Sequence, residues 1–143
     1  MTYSNPSDTK EREILESAKT IAVVGFSNDP TRTSYQIGTF LRKMGYKVYA
    51  VNPTVSEIDG EKTYPSLADI PEPIDVVNVF RRSEFLSGVV DDAIAVKAKA
   101  VWSQLGVFNP DAAKKAESAG LNIIMDTCIK VSYNHLIRPP RSS

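Results

Sequence analysis

The sequence has very few of the residues on which several kinds of protein depend. Cys128 is the only cysteine and His135 the only histidine among 143 residues. An internal disulfide is therefore impossible, and a zinc site would lack its usual ligands. One histidine also leaves little material for histidine-based general-base catalysis. The sequence predicts no metal site and no catalytic residue.

An excess of charge and long apolar segments are missing as well. The 17 basic and 17 acidic residues give a formal net charge of zero. Binding to nucleic acid needs a clustered positive excess that neutralises phosphates. The sequence contains no run of about 18 apolar residues, the length that a membrane-spanning helix needs. Residues 1–10 contain no apolar signal region. We therefore expect a cytoplasmic protein that binds neither nucleic acid nor membranes.

Short apolar runs alternate with amphipathic segments along the chain. The runs that have the length of buried strands are Thr20–Val24, Lys47–Val51, Asp75–Phe80, Ala100–Ser103 and Asn122–Met125. Helices are predicted at Lys10–Ala18, at Ser34–Met44, after Ser83 as N-cap, and at Pro110–Ala119 with Asn109 as N-cap. This order predicts an α/β, doubly wound, Rossmann-like domain with a five-stranded parallel sheet and helices on both faces. We expect residues 1–143 to form one domain with its core at about 14–136.

The crossover between the second and third strands differs from the others. Residues 53–73 contain four prolines and only a brief helical signal, at Ser66–Ile70. We expect a loop with one or two helical turns, which would cover that face of the sheet poorly.

Ligands of such sheets bind beyond the carboxyl ends of the strands, so the residues after each strand are candidates for a site. After the first strand, Gly25 permits a tight turn, and the following helix start offers amides and a positive dipole end to a phosphate. Only the first of the three glycines of the dinucleotide fingerprint is present, so an ordinary polar connection fits the spacing equally well. The candidates in this loop are Gly25, Phe26, Ser27, Asn28, Arg32, Thr33 and Ser34.

The next two strands also end in candidate residues. Asn52 and Pro53 stand where a nicotinamide-dependent dehydrogenase would place an Asp or Glu for the ribose hydroxyls; alternatively, Pro53 simply ends the strand. Phe80 is followed by Arg81 and Arg82 just before a predicted helix. Guanidinium groups suit phosphate oxygens and can stack on adenine. The alternative is that both arginines are solvated and one pairs with Glu84.

The last two strands add a weaker signal. Ser103 and Gln104 follow Trp102, which is predicted to lie in the core, and Gln104 offers both a donor and an acceptor. Cys128 follows the last strand without a base to activate it, so a buried and inert thiol is predicted. His135 is predicted to be a packed or surface residue.

Five blocks in this order resemble the small bacterial coenzyme A-binding domain proteins, which are similar in fold to the amino-terminal domain of the succinyl-CoA synthetase α subunit. The blocks are Val23–Ser27, Val51–Pro53, Val79–Arg82, Trp102–Gly106 and Met125–Cys128, within a match over roughly Ile14–Leu136. The resemblance implies that the Gly25–Ser34 loop cradles the pyrophosphate of coenzyme A. It also implies that Asn52–Pro53 and Phe80–Arg82 frame the nucleotide and its 3′-phosphate, with Ser103–Gln104 on the neighbouring edge. The synthetase's chemistry uses a phosphorylated histidine in a second domain, and His135 matches no such motif.

Three functional hypotheses remain. The first is non-catalytic binding of coenzyme A or a CoA thioester. The second is an NAD(P)-dependent oxidoreductase that uses the same cleft; it lacks the glycine fingerprint and any catalytic arrangement that can be placed. The third is a regulatory subunit that binds its ligand in order to bind an unidentified protein partner. The residue at position 52 favours the first hypothesis over the second.

Overall fold

A computed structural model describes residues 5–137 and confirms the Rossmann-like α/β fold. Its helices are α1 (Asp8–Ser17), α2 (Thr33–Lys43), α3 (Ser83–Ala95), α4 (Pro110–Ser118) and α5 (Ile129–Leu136). Its strands are β1 (Thr20–Val24), β2 (Lys47–Val51), β3 (Glu57–Ile58), β4 (Glu61–Tyr64), β5 (Val76–Val79), β6 (Ala100–Ser103) and β7 (Asn122–Ile124). A short 3-10 helix spans Leu67–Asp69.

The strands form one sheet in the order β3-β4-β2-β1-β5-β6-β7. All neighbouring strands are parallel except β3 and β4, which are antiparallel. The chain builds outward from β1 through β2 to β4, and then returns to place β5 on the other side of β1. The strand order therefore reverses between β1 and β5, which is where such folds bind ligands.

Helices cover both faces of the sheet, as predicted. On one face, α3, α4 and the 3-10 helix bury residues such as Leu67, Leu86 and Ala112 against the strands. On the other face, α1, α2 and α5 bury Leu15 and Leu41. Trp102 lies in the core, as predicted, and its indole N–H donates to the Thr127 carbonyl at 3.1 Å.

The prediction of five strands was wrong, because the proline-rich crossover contains the β3–β4 hairpin. Its turn consists of Asp59 and Gly60, whose φ angles of 53° and 81° are both positive, as two-residue hairpin turns prefer. Strands of two and four residues are too short to show an apolar alternation, and only the Asp-Gly pair signals them. The predicted helical turn is confirmed as the 3-10 helix. The prediction that the crossover covers this face of the sheet poorly was wrong. Leu67, Ile70 and Ile74 are buried there.

Three smaller differences concern the helices. Ser83 is the first residue of α3 rather than its N-cap, which is Arg82, because the Ser83 hydroxyl is used by a distant loop. Helix α5, which was not predicted, holds the exposed His135 and begins after Cys128. Cys128 is half-buried rather than buried. The cap at Asn109 is confirmed, since its side chain accepts from the amides of Asp111 and Ala112.

Candidate functional site

Gly25 lies at the switch point, the place between β1 and β5 where the strand order reverses. It joins the ends of three strands. Its amide donates to the Val51 carbonyl at 3.0 Å. Its φ is +89°, and a Cβ atom there would lie 3.0 Å from the Phe80 carbonyl oxygen. Glycine is therefore required by the chain's own backbone, which brings β1, β2 and β5 together at this point.

The loop that follows Gly25 is held by its own polar groups. The Ser27 amide donates to the Ser34 hydroxyl at 2.9 Å, and the Asp29 amide donates to the Ser27 hydroxyl at 3.0 Å. The Thr31 amide donates to the Asp29 carboxylate, a hydrogen bond that lowers the pKa of Asp29. Ser34 is buried, so its hydroxyl serves the loop.

The start of α2 is open at the same edge. Its N-cap residue, Arg32, makes no side-chain capping bond. The side chains of Asn28, Arg32 and Thr33 are exposed around it. Amides of an uncapped first turn, together with the helix dipole, favour a negatively charged group.

Phe26 anchors this loop in the core. Its ring is completely buried, and a Cβ atom on Gly38 in α2 would lie 2.1 Å from a ring carbon. Gly38 thus provides the close packing of helix and strand that the third glycine of the dinucleotide fingerprint provides elsewhere. The sequence reasoning missed Gly38; the available signal was a glycine between the buried Ile37 and Leu41.

Asn52 ties the ends of β1 and β2 together. Its side-chain amide donates to the Phe26 carbonyl at 2.9 Å. Its side-chain oxygen accepts from the Thr54 amide at 2.8 Å and from the Thr54 hydroxyl at 2.7 Å. Asn52 therefore fixes two loops, while Pro53 and Thr54 lie exposed on the rim.

A cleft of about 360 Å³ opens at the switch point. It brings together four of the predicted residues, Gly25, Asn52, Pro53 and Arg81. The sequence reasoning missed the rest of its wall. Those residues are Val24, Val51, Thr54, Pro65, Ser66, Leu67, Val89 and Asp92. Several belong to the crossover, whose path depends on the unpredicted hairpin.

A second, more open space adjoins the cleft, and we name it the outer groove. It is lined by Phe80–Ser83 and Gln104–Val107 and measures about 490 Å³. Arg81 lines both the cleft and the outer groove. The side-chain oxygen of Gln104 is buried and has no hydrogen-bond partner among residues 5–137. Ser103 is fully buried, and its hydroxyl donates to the Val107 carbonyl at 2.7 Å.

The two arginines differ in their surroundings. The Arg82 Nε lies 3.3 Å from a carboxylate oxygen of Glu84, and both side chains are mostly exposed. Such an exposed pair contributes little to stability. The guanidinium carbons of Arg81 and Arg82 lie 4.7 Å and 5.5 Å from the centre of the Phe85 ring. Arg82 thus forms the predicted pair with Glu84, and Arg81 is the arginine placed between the two spaces.

The predicted site residues fall into three groups. Gly25, Asn52, Pro53, Phe80, Arg81, Arg82 and Gln104 line the cleft or the outer groove. Ser27, Asn28, Arg32 and Thr33 form the neighbouring loop without lining either space. The side chains of Phe26, Ser34 and Ser103 are turned into the protein.

Two further classes of feature are absent from the described part of the chain. No group of three or more His, Cys, Asp or Glu residues there is placed to hold a metal ion. None of its helices has the length and apolar character that crossing a bilayer requires.

Comparison with known proteins agrees with this architecture. The family model for the CoA binding domain matches residues 19–134. The chain is 44% identical over 129 residues to the uncharacterized protein YneT of Bacillus subtilis, a match that covers 90% of this chain and 96% of YneT. A solved structure of a hypothetical protein from Pyrococcus horikoshii has a TM-score of 0.89 at 39% identity, covering 96% of this chain and 99% of that one.

A larger relative shares only this region. The α subunit of ADP-forming acetate–CoA ligase II from Pyrococcus furiosus is 28% identical over 126 residues. The match covers 80% of this chain but 28% of that subunit. The resemblance inferred from the five sequence blocks is confirmed: the chain belongs to the CoA-binding domain family.

Proposed function

We propose that the protein binds coenzyme A or a CoA thioester without transforming it, as a single cytoplasmic domain. The observation that carries the proposal is the cleft at the switch point, which joins Gly25, Asn52 and Arg81 and is connected through Gly25 to the loop that leads to the uncapped start of α2. Membership of the CoA-binding domain family supports the identity of the ligand.

The Gly25–Ser34 loop is the proposed cradle for the pyrophosphate. Its side-chain hydroxyls hold the loop itself in shape, and the first-turn amides of α2 meet the ligand. The exposed Arg32 adds a positive charge at the same place. The loop thus recognises phosphate mainly through its backbone amides. Because the loop is already held in shape, little conformational entropy is lost when the phosphate binds.

The 3′-phosphate is assigned to Arg81, with Arg82 beside it. Arg81 lines the cleft, whereas Arg82 already contacts Glu84. The end of β2 carries the neutral Asn52, so no carboxylate there would repel a phosphate. A nicotinamide cofactor without that phosphate would need a carboxylate at this position.

Two observations support binding without catalysis. Neither Cys128 nor His135 lines the cleft or the outer groove. Both belong to the region of α5, which packs on the opposite face from α3. A regulatory role would require a protein partner that recognises the occupied cleft.

The test is calorimetric titration with CoA and dephospho-CoA. We expect the protein to prefer CoA by about ten- to a hundredfold, because a charge-assisted contact contributes about 1.5–3 kcal/mol. Arg81→Gln should reduce that preference severalfold or more. The control Lys114→Gln removes a positive charge from the exposed face of α4 and should leave the preference intact.

The outcomes separate the parts of the proposal. Equal affinities for the two ligands in the wild-type protein would remove the arginines from the 3′-phosphate site. Absence of CoA binding would overturn the function itself. Native mass spectrometry of freshly purified protein provides an independent check, since a co-purified ligand identifies itself by its mass.

A further inference from the structure

Exposed apolar side chains concentrate around the outer groove. Among residues 5–137, the large hydrophobic side chains that are exposed are Phe85, Leu105, Phe108 and Val131. The first three belong to segments that border the groove, and Leu105, which lines it, is 62% exposed. Single exposed apolar residues are ordinary, but three of them on the segments that border one groove favour a ligand with an apolar part there.

Hydrogen bonds hold these segments against one another. The Ser83 hydroxyl accepts from the Phe108 amide at 2.9 Å and donates to the Gly106 carbonyl at 3.3 Å. The Asp126 carboxylate accepts from the Gly106 amide at 2.6 Å. The turn that carries Leu105 and Phe108 is therefore fixed against the first turn of α3, which carries Phe85. A surface prepared in this way loses little conformational entropy when a ligand binds.

Gln104 indicates the chemistry of the ligand. Its buried side-chain oxygen lacks a donor among the described residues, and the residue lines the outer groove. Buried acceptors are normally paired, and this oxygen would gain a partner if the Gln104 amide turned into the groove toward a ligand that donates a hydrogen bond. The pantetheine arm of coenzyme A carries amide N–H groups of that kind.

Arg81 connects the groove to the cleft. Because it lines both spaces, a ligand whose nucleotide occupies the cleft can pass Arg81 and extend into the groove. We propose that the outer groove holds the pantetheine arm together with an apolar acyl chain. The preferred ligand is then a CoA thioester of an uncharged aliphatic acid rather than free CoA. This inference rests on the proposed function.

The experiment compares CoA, hexanoyl-CoA and glutaryl-CoA by calorimetric titration of the full chain. We expect hexanoyl-CoA to bind about tenfold more tightly than CoA, because part of its hydrocarbon chain leaves water. In Leu105→Ser and Phe108→Ser the ratio of the two affinities should fall to below about threefold. Both side chains are exposed, so the variants should retain the native circular dichroism.

Two further variants test the assignment of the groove. Val131→Ser is the matched control, since Val131 is 64% exposed on α5 and lies outside the groove; its affinity ratio should equal that of the wild type. Gln104→Met removes the acceptor at similar size. It should weaken CoA and hexanoyl-CoA by the same factor, because Gln104 serves the arm that both ligands share.

Each contrary outcome has a separate meaning. If CoA binds and hexanoyl-CoA binds no more tightly, the proposal that the groove holds an acyl chain is overturned and the proposed function stands. If neither ligand binds, both are overturned. Tighter binding of glutaryl-CoA than of hexanoyl-CoA would overturn the choice of an uncharged chain. If the wild type sediments as a dimer and Leu105→Ser as a monomer, the apolar surface is an interface between copies and the inference fails.

Discussion

The Gly25–Ser34 loop and the Phe80–Ser83 segment follow neighbouring strands, yet they use their polar groups differently. In the loop, Ser27, Asp29 and Ser34 bond to the loop's own backbone. In the segment, Arg81 and Arg82 are exposed, and their only close charged contact among described residues is the Arg82–Glu84 pair.

The two regions therefore offer different groups to a ligand. A loop whose side chains serve its own shape presents its backbone, and its residues matter first for stability. A segment whose side chains are exposed presents charge, and its residues matter first for affinity. Substitutions in the two regions should therefore separate stability from binding.

The largest effect is expected where the loop is anchored in the core. Gly38→Ala should lower the free energy of unfolding by about 1–3 kcal/mol, because its Cβ would overlap the buried ring of Phe26. Gly88→Ala in α3 is the matched control, since a Cβ there meets nothing within 4 Å. In this control the free energy of unfolding should rise by about 0.5–1 kcal/mol, because alanine has a higher helix propensity than glycine. Denaturant unfolding measures both, and equal effects would show that Phe26 does not depend on Gly38.

An intermediate effect is expected within the loop. Ser34→Ala should cost about 1 kcal/mol of unfolding free energy, because the Ser27 amide loses its acceptor. CoA affinity should fall with it, since the loop loses its shape. Ser118→Ala, at the exposed end of α4, is the control: it should leave CoA affinity unchanged and raise the free energy of unfolding by at most about 0.5 kcal/mol, from helix propensity. A loss of affinity with unchanged stability would mean that the Ser34 hydroxyl contacts the ligand directly rather than holding the loop in shape.

The smallest effect is expected in the Phe80–Ser83 region. Glu84→Gln should raise CoA affinity by up to about fivefold, because Arg82 loses an exposed partner. Stability should fall slightly, by about 0.3–1 kcal/mol, since an acidic side chain leaves the first turn of α3. Glu117→Gln on α4 matches the change in charge away from the site. Lower affinity in Glu84→Gln would mean that the pair positions Arg82 for the ligand.

Most of the regular structure was predictable, and the reason lies in local pattern. The buried runs of β1, β2 and β6 had the predicted bounds, and the ends of α4 were marked by Asn109 and Gly120. Strands β3 and β4 were not predicted. Only Ile58 and Thr63 are buried in them, so their sequences show no alternation of apolar and polar residues. Helix α5 was not predicted because Cys128, at its N-cap position, is not a usual capping residue.

The candidate site was predictable only as a set of segments. The rule that ligands lie at the carboxyl ends of parallel strands selected Asn52, Arg81 and Gln104, and these residues do line the cleft or the groove. The same rule selected Ser103, whose side chain is turned inward. Alternation along a strand shows which residues share a face, but it does not show which hydrogen bonds a side chain forms.

Local sequence was enough to predict β1, β2, β5, β6 and β7, helices α1 to α4 and the turn at Gly25, because hydrophobic periodicity and backbone preferences act within a few residues. Which side chains come into contact depends on the three-dimensional fold. Ser83 bonds to Gly106 and Phe108, more than 20 residues away, and Gly38 packs on Phe26 across a helix–strand interface. Those contacts form the groove and fix the loop. They depend on the order of strands in the sheet, which brings distant segments together and leaves no local signal in the chain.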